Sequence, residues 1–384
     1  MKKRILFVIP TIWAGGTNSA LGSLYNNIDQ SKYEIVVLAC DYFGGRKVIY
    51  EDVLIKNEPL LAAYYSTGHY SNIVEKVLCL LIKISKKAIK VFDKKFDQRF
   101  NSFIIHSFEK NNHFDTVVAY NEVAVPFTSL FSCKNKIAWV HCDYSKHMHR
   151  KETEENFYEK FNSIVTVSEY TTTVFKQFYP NLSDRCRSIY NLLDTKWIVD
   201  GSKLPIDDAR FITNNFTIVS VGRIAKVKRF REIPKMAHEL SQRGCNFRWY
   251  IIGPEYDQIE TSAIQDGIIK YNLTDKVFWL GGKSNPYPYF KKADLYVCMS
   301  ESEACPMVFI ESKLLGTPIV TTDFPSAKEF INHGEDGYIV ALNKIPDTLC
   351  EIINNPPIIE RLNSNVSNFK FSNSLLLEHM YSLL

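Results

Sequence analysis

The sequence predicts an α/β protein of two doubly wound domains, each built on a parallel sheet. Its 384 residues are more than one core of ordinary size needs. Short apolar runs alternate with longer segments of helical period in both halves of the chain. The runs are continuously apolar rather than alternating, which is typical of parallel strands buried on both faces. Two successive series of such runs therefore predict two sheets flanked by helices.

The apolar runs define the predicted strands. In the first half they are 5–9, 35–39, 116–119, 137–140 and 164–167. In the second half they are 216–221, 249–252, 277–280, 295–298 and 318–321. Residues 195–214 are polar and contain Gly201 and Pro205, so they are the best candidate linker. We therefore predict domains at 1–195 and 196–384, with a final helix that could pack back on the first domain.

Composition and charge argue against several classes of protein. Hydrophobic residues make up 46% of the chain and charged residues 23%, as in an ordinary globular protein rather than a disordered one. The net charge of +4 gives no support to a nucleic-acid partner. The nine cysteines contain no Cys-x-x-Cys pair, which indicates reduced thiols of a cytoplasmic protein rather than a disulfide or zinc framework.

The start of the chain is interpreted as a buried strand followed by a glycine turn. Its apolar run is short and Pro10 interrupts it, which is unlike a secretory signal. No apolar stretch in the chain approaches the roughly 18 residues of a membrane-spanning helix. Gly15 and Gly16 follow the strand, and a backbone without Cβ can approach a phosphate closely there. A turn without a ligand is the alternative, because Gly-Gly turns are common.

Two glutamates flank a predicted helix start near the end of the second half. Pro306 is tolerated at the first helical position, so Glu303 would lie in the loop before the helix and Glu311 about two turns into it. The free backbone N–H groups of Met307 and Val308, together with the helix dipole, would favour an anion. On spacing alone, two acidic residues beside an ordinary amphipathic helix are the alternative.

The other candidate residues also follow predicted strands. Arg223 and Lys228 come after 216–221 and supply fixed positive charge, although a solvated basic loop is the alternative. His141 comes after 137–140, and a buried histidine with no role in binding is its alternative. Ligands of doubly wound sheets bind at the carboxyl ends of the strands. We therefore expect these side chains and the glutamate pair to face one crevice.

A metal site is not expected. His147 and His149 are two residues apart, which places them on different faces of a helix, and no acidic ligand set accompanies them. The chain also contains no Asp-x-Asp pair that could hold a cation on a diphosphate. We expect neither a metal nor another cofactor.

Five segments, read together, carry a resemblance to a known family. They are the N-terminal RILFVIPTIWAGGTNSAL, KIAWVHCDY at 136–144, VGRIAKVK at 221–228, IIGP at 251–254 and the stretch 285–323 that contains both glutamates. They resemble the retaining glycosyltransferases of family four, which have the GT-B fold. The resemblance implies two Rossmann-like domains facing each other across a cleft. It also implies that the N-terminal domain binds the acceptor and the C-terminal domain binds the nucleotide sugar.

The resemblance implies roles for individual residues. Arg223 and Lys228 would bind the diphosphate of the donor, helped by the turn at Gly15 and Gly16 and by the helix start at Pro306, Met307 and Val308. Glu311 would accept hydrogen bonds from the ribose, and Glu303 from the donor sugar. His141 would line the sugar site near the reacting carbon. Two residues depart from the family pattern, Ala304 and Arg229, since glycine is usual at both positions.

The reaction implied by the resemblance is transfer of a sugar from a UDP- or GDP-sugar with retention of anomeric configuration. The acceptor would be a glycan or a lipid-linked sugar, in the synthesis of bacterial surface polysaccharide. The departing diphosphate would itself take the proton of the acceptor hydroxyl. A GT-B sugar-nucleotide epimerase and a non-catalytic sugar-nucleotide-binding module are the alternatives.

Residues 73–95 form the clearest amphipathic pattern of the chain. Apolar residues recur at helical period, and lysines lie on the opposite side. Seven lysines against Glu75 and Asp93 give the segment a net charge of +5. Such a helix can lie on an anionic membrane surface, and a core helix with a solvated face is the alternative. The first interpretation places the protein in the cytoplasm, at the inner face of the membrane.

Overall fold

The computed structural model describes residues 2–12, 15–42, 54–56, 77, 80–81, 84, 96–146, 151–212 and 214–384. The chain divides into two compact units. The first comprises Met1–Leu193 and Asn373–Leu384, and the second comprises Asp194–Ser372. The last helix of the chain therefore belongs to the first unit.

Among the described residues, the first unit contains a seven-stranded parallel sheet in the order β3-β2-β1-β4-β5-β6-β7. Its strands are β1 (Lys3–Ile12), β2 (Tyr33–Tyr42), β3 (Leu54–Lys56), β4 (Thr116–Ala119), β5 (Asn135–Val140), β6 (Ser163–Thr166) and β7 (Cys186–Ser188). The order reverses between β1 and β4, where Ile5 pairs with Thr116. Each predicted strand of this half overlaps an observed one. The edge strands β3 and β7 are not predicted by the apolar pattern.

Helices connect these strands. Their bounds are Gly16–Asn27, Phe96–Asn111, Val125–Thr128, Lys151–Tyr158, Glu169–Phe178 and, at the end of the chain, Ser374–Tyr381. The last of these is fixed to its own unit at both ends. Asn373 accepts a hydrogen bond from the Leu193 amide (3.1 Å) and donates to the Leu193 carbonyl (2.7 Å) and to Asn27 (2.9 Å). At its far end, the Tyr381 hydroxyl accepts from the Asp29 amide (2.9 Å).

Four positions of the predicted helix at 73–95 are described. Val77, Leu80, Leu81 and Ile84 are helical, and between 49% and 57% of each residue is exposed. Their spacing places them on one face of the helix. The remaining residues of that segment, including its lysines, lie outside the described residues. Of the helices described, none is both long enough and apolar enough to cross a membrane.

The described part of the second unit contains a six-stranded parallel sheet in the order β10-β9-β8-β11-β12-β13. Its strands are β8 (Phe216–Val221), β9 (Phe247–Ile252), β10 (Val277–Trp279), β11 (Leu295–Cys298), β12 (Ile319–Thr322) and β13 (Gly337–Val340). The order reverses between β8 and β11. The edge strand β13 is again not predicted from the sequence.

Helices also cover this second sheet. They are Thr195–Ser202, Ile233–Gln242, Gln258–Lys270, Tyr287–Lys292, Met307–Leu314, Ala327–Phe330, Ile345–Asn354 and Pro356–Ser367. The segment 195–214, predicted as a linker, therefore begins as a helix. Asp194 caps it by accepting a hydrogen bond from the Trp197 amide at 2.9 Å. The helix ends at Ser202, and the described residues from there to 214 contain no further helix or strand.

Burial of the strands explains the continuous apolar runs. The neighbours Leu6 and Phe7 of β1 are both fully buried, as are Ile218 and Val219 of β8. Successive side chains of a strand point to opposite faces, so both faces of each sheet are covered. The predicted fold class, two doubly wound α/β domains, is confirmed.

Candidate active site

The ends of β8 and β11 are neighbours in the second unit. Leu295 of β11 pairs in parallel with Ile218 of β8. The strand order reverses between these two strands, which makes their carboxyl ends a topological switch point. Arg223 and Lys228 lie after β8, and Glu303 lies after β11. The sheet therefore brings together predicted site residues that are far apart in the sequence.

The turn after β8 is held by a close backbone approach. The Gly222 amide donates to the Ile252 carbonyl at 2.9 Å. A Cβ at position 253 would lie only 1.7 Å from the Gly222 carbonyl oxygen, so Gly253 cannot be replaced without moving the turn. Arg223, which follows Gly222, places its guanidinium 4.7 Å from the ring centre of Tyr256. Such a cation–π contact orients the guanidinium at the end of the strand.

Lys228 pairs directly with Glu303. The lysine Nζ donates to Oε1 of the carboxylate, and only 22% and 16% of the two side chains are exposed. Burial by itself would lower the pKa of Lys228, but the charge of Glu303 and its hydrogen bond outweigh that effect and raise the pKa above its usual value. The lysine is thus a fixed cation at neutral pH.

The loop that carries Glu303 is anchored by two buried serines. The Ser300 hydroxyl donates to Oε1 of Glu303 at 2.6 Å, and the Ser326 hydroxyl donates to the Glu303 carbonyl at 2.6 Å. Sequence reasoning misses both serines, because neither belongs to a recognisable motif. The loop also joins the β8 turn, since the Glu301 amide donates to the Val227 carbonyl at 2.8 Å.

Arg229, where the family pattern has glycine, adopts a left-handed backbone with φ 54° and ψ 28°. Glycine adopts this conformation without strain, which accounts for the usual residue at this position. In this chain the Arg229 side chain lies 3.6 Å from the Glu301 carboxylate. That ion pair adds a second contact between the loops after β8 and β11.

The helix at Met307–Leu314 begins one residue later than predicted, with Pro306 as its N-cap. The prediction that the Met307 amide is free is wrong, because it donates to the Cys305 carbonyl at 2.9 Å. Pro306, with φ −74° and ψ 85°, has the backbone of an inverse γ-turn, which brings these two groups together. Among the described residues, the Val308 amide is the first in the helix without a partner. It remains available to an anion.

Glu311 lies little more than one turn into this helix, not two. Burial raises the pKa of its carboxyl to about 7, and no described residue pairs with it. The helix itself is fixed by a buried ion pair, because Lys313 Nζ lies 2.8 Å from Asp336 and donates to the Phe330 carbonyl at 2.7 Å. Glu311 is therefore an uncompensated acid on a well-anchored helix.

In the first unit, Gly15 and Gly16 follow β1. Gly15 is the N-cap of the helix Gly16–Asn27 and has no side chain with which to cap it. A Cβ at Gly16 would meet no atom within 4 Å, so packing does not require glycine there. The amides of this helix start lie at the carboxyl end of β1, beside the reversal of strand order. Residues 13 and 14 lie outside the described residues.

His141 follows β5 in the same unit. Its amide donates to Glu122 at 3.1 Å, and its ring lies 4.7 Å from the ring centre of Tyr120. Nε2 is buried, and it has no hydrogen-bond partner among the residues that the structure describes. Burial lowers the pKa of His141 to about 3, so the imidazole is neutral at physiological pH. A buried ring nitrogen without a partner favours a binding role over the alternative of a satisfied core histidine.

The predicted residues thus fall into two groups. Arg223, Lys228, Glu303, Glu311 and the helix start at 306–308 belong to the second unit, whereas Gly15, Gly16 and His141 belong to the first. His147 and His149 lie outside the described residues. Across the residues that are described, no group of three or more histidine, cysteine or acidic side chains could hold a metal ion.

The site in the second unit lies within a segment that matches a known protein family. Residues 206–368 match the family model described as glycosyl transferases group 1. This segment belongs to that family. It contains both strands of the switch point and all the predicted site residues of the second unit.

Curated relatives of the group 1 segment include bacterial glycosyltransferases. The capsular polysaccharide biosynthesis glycosyltransferase CapM of Staphylococcus aureus is 26% identical over 195 residues, which cover 49% of this chain and 50% of CapM. The N-acetylgalactosamine-N,N'-diacetylbacillosaminyl-diphospho-undecaprenol 4-alpha-N-acetylgalactosaminyltransferase of Campylobacter jejuni is 31% identical over 160 residues, 41% of each chain. The chain spans about half the length of the curated relatives it matches.

Solved structures are similar over the whole chain. Anabaena Alr3699/HepE in complex with UDP has a TM-score of 0.75 and 16% identity, and the match covers 100% of this chain and 99% of HepE. A variant of S. aureus TarM in complex with UDP has a TM-score of 0.72 and 14% identity over 99% of both chains. At these identities the likeness shows the fold, which is GT-B.

Proposed function

We propose that this protein is a retaining, metal-independent glycosyltransferase that uses a nucleotide-diphosphate sugar. The observation that carries the proposal is the Lys228–Glu303 pair at the switch point of the group 1 segment. It sets a fixed cation beside a carboxylate where doubly wound sheets bind ligands. A diphosphate needs the first group and a sugar hydroxyl needs the second.

The leaving group is stabilised by fixed positive charge in this proposal. Arg223, Lys228 and the free Val308 amide would face the diphosphate as negative charge develops on it. Donors that are already in place when charge develops are usually the largest single contribution to catalysis. The bond between the anomeric carbon and the diphosphate oxygen breaks, and a bond to the acceptor oxygen forms on the same face. The acceptor proton passes to the departing diphosphate, so no carboxylate base is required.

The remaining residues bind the donor. Glu311 would accept hydrogen bonds from the ribose hydroxyls, and Glu303 from a hydroxyl of the sugar. His141, neutral at physiological pH, would give the sugar a hydrogen bond rather than a charge. Gly15 and Gly16 would let the start of their helix approach the phosphates. Each assignment follows the family pattern at the matching position of this chain.

The names of similar proteins support a proposal for the donor class and for the acceptor. HepE was solved with UDP and with UDP-glucose, and the C. jejuni relative is named for a diphospho-undecaprenol acceptor. CapM is named for capsular polysaccharide biosynthesis. We therefore propose a UDP-sugar first, a GDP-sugar second, and a glycan or lipid-linked acceptor in surface polysaccharide synthesis.

The proposed donor can be identified with a panel of UDP-, GDP-, ADP- and dTDP-sugars in a thermal-shift screen. The donor that stabilises the protein is then incubated with EDTA, and release of nucleoside diphosphate is measured. We expect release to survive EDTA, because the second-unit cations take the part of a metal. Loss of activity that Mn²⁺ restores would contradict the metal-independent mechanism. Binding without any turnover would favour a binding module, and an epimerised sugar nucleotide would favour an epimerase.

A lipid-linked acceptor lies at a membrane surface, so an enzyme that uses it benefits from binding that surface. We propose that residues 73–95 bind the membrane. Val77, Leu80, Leu81 and Ile84 present an exposed apolar face, and the segment carries a net charge of +5. Each lysine near an anionic bilayer contributes about 1 kcal/mol, which decays over a Debye length of roughly 8–10 Å. We therefore expect reversible binding to phosphatidylglycerol vesicles that weakens as salt is added.

The vesicle prediction is tested by cosedimentation at low and high salt. Replacing Lys83, Lys87 and Lys90 together by Glu is expected to abolish sedimentation while the affinity for the donor nucleotide stays unchanged. A matched control replaces three exposed lysines of the second unit by Glu: Lys196, Lys203 and Lys344. If the wild type and the triple variant at 83, 87 and 90 sediment alike, the segment is a packing helix and the membrane proposal fails.

A further inference from the structure

We propose that Ser300 is a positioning residue that commits one oxygen of Glu303, Oε2, to a hydroxyl group of the donor sugar. The inference rests on the proposed function and adds the residue that sets donor selectivity. It follows from how the contacts of Glu303 are divided between its two carboxylate oxygens.

All described contacts of the Glu303 carboxylate are made by one oxygen. Lys228 Nζ and the Ser300 hydroxyl both donate to Oε1, the latter at 2.6 Å. Among the described residues, none donates a hydrogen bond to Oε2. The side chain is only 16% exposed, but Oε2 is not fully buried, so a ligand group can reach it. A half-buried carboxylate oxygen without a protein partner can accept a hydrogen bond from a ligand.

The Ser300 hydroxyl is fixed by its surroundings. Ser300 is 1% exposed and lies two residues after the end of β11, and its carbonyl accepts a hydrogen bond from the Thr322 hydroxyl at 2.6 Å. The Cys298 thiol lies 3.4 Å from the Ser300 hydroxyl oxygen. The position of the donated hydrogen bond is therefore determined by the sheet rather than by a mobile loop.

Two donors on one oxygen also fix the rotation of the carboxylate. With Lys228 alone, either oxygen could take the ion pair, and the carboxylate could present Oε1 or Oε2 to the substrate. The second donor, Ser300, removes that freedom. Oε2 is a pure acceptor when ionised, so the ligand group opposite must be a donor such as a hydroxyl. Sites that bind a substrate hydroxyl in this way discriminate strongly against the analogue that lacks it.

The proposal predicts a loss of donor selectivity in Ser300→Ala. The measurement is the ratio of kcat/KM for the parent sugar nucleotide to kcat/KM for each of its monodeoxy analogues. We expect the ratio for one analogue to fall by roughly tenfold, since one hydrogen bond to a charged group is lost. The affinity for the free nucleoside diphosphate is expected to stay unchanged, because that part of the donor does not reach Glu303.

Ser326→Ala is the matched control. Ser326 is also a fully buried serine, and it donates to the backbone carbonyl of Glu303 rather than to its carboxylate. Its replacement is expected to lower stability without changing the selectivity ratio. Ser300→Cys, which keeps the shape but donates weakly, is measured beside Ser300→Ala and covers the case in which the alanine variant does not fold.

The outcomes separate this proposal from the proposed function. If the wild type is active and Ser300→Ala and Ser300→Cys keep full selectivity, the positioning role is overturned while the transferase stands. Equal loss of selectivity in Ser326→Ala would also overturn it, because a general effect on the loop would then be sufficient. A wild type that transfers no sugar from any nucleotide overturns both. Selectivity lost in the Ser300 variants alone supports the proposal.

Discussion

Replacing Lys228 by Met is expected to lower kcat by about two orders of magnitude, and Arg223→Ala by a similar factor. Both side chains would stabilise charge that develops on the departing diphosphate. Lys228 has a second effect, since its removal leaves the half-buried Glu303 carboxylate with a single donor, Ser300. The measurement is the steady-state release of nucleoside diphosphate with a saturating donor, together with KM for that donor.

Lys226→Met is the control for the loss of charge. Lys226 lies in the same short turn and is exposed, whereas Lys228 is paired with Glu303. We expect Lys226→Met to keep near wild-type turnover. If Lys228→Met and Arg223→Ala were also near wild type, these two residues would not hold the diphosphate. A rise in KM at unchanged kcat would indicate that they bind the ground state rather than the transition state.

The fold could be predicted from the sequence wherever a strand is buried on both faces. The runs at 116–119, 216–221 and 295–298 coincide with β4, β8 and β11 because burial alone decides their composition. The edge strands escape prediction for the opposite reason. β7 is Cys-Arg-Ser with an exposed arginine, and a three-residue edge strand needs no continuous apolar run.

The candidate site could be predicted only in part. Arg223, Lys228, Glu303 and Glu311 are recognisable because each belongs to a segment that resembles a family. The pairing of Lys228 with Glu303 cannot be recognised in the sequence. These residues are 75 positions apart, and they meet only because β8 and β11 lie side by side in the sheet. The bonded Met307 amide is likewise a consequence of local backbone geometry, which spacing cannot reveal.

The second large effect is expected at Glu311. Glu311→Gln should weaken binding of the free nucleoside diphosphate about tenfold to 100-fold, because hydrogen bonds from the ribose to a charged acceptor are lost. Glu303→Gln is the matched control: it also replaces a carboxylate by an amide, but it should leave nucleotide affinity unchanged and lower turnover instead. Isothermal titration calorimetry measures both. Equal nucleotide affinity in Glu311→Gln and the wild type would show that Glu311 does not bind the ribose.

The raised pKa of Glu311 adds a pH dependence with a definite sign. Burial disfavours the charged carboxylate in the free protein, and ribose hydroxyls that donate to it would favour the charged form. Binding should therefore release a proton and tighten by roughly tenfold from about pH 5.5 to about pH 8. The sugar nucleotide is the right titrant, because its diphosphate diester does not titrate in this range. The dependence should vanish in Glu311→Gln.

The same pKa predicts the opposite effect on stability. The carboxyl has a pKa of about 7 in the folded protein against 4.5 for the unperturbed group, so the folded state holds the extra proton between these values. The contribution of this carboxyl to the stability of the fold is therefore fully present below about pH 4.5, and it is lost as the pH rises through 7. Glu311→Gln lacks the buried charge and should melt about 2–4 °C higher than the wild type near pH 8, with no difference near pH 4.

These two effects in one variant distinguish a binding residue from a structural one. If the glutamate stabilised the fold, its replacement by glutamine would lower the melting temperature of the protein and its nucleotide affinity together. If the carboxylate is instead kept in a half-buried position for a ligand, its replacement by glutamine lowers the affinity for the nucleotide but raises the stability of the protein. The reason is that only the ligand compensates the charge of the carboxylate. A Glu311→Gln variant that melts lower than the wild type near pH 8 would mean that the carboxylate is paired within the protein. The ribose assignment would then lose its physical basis.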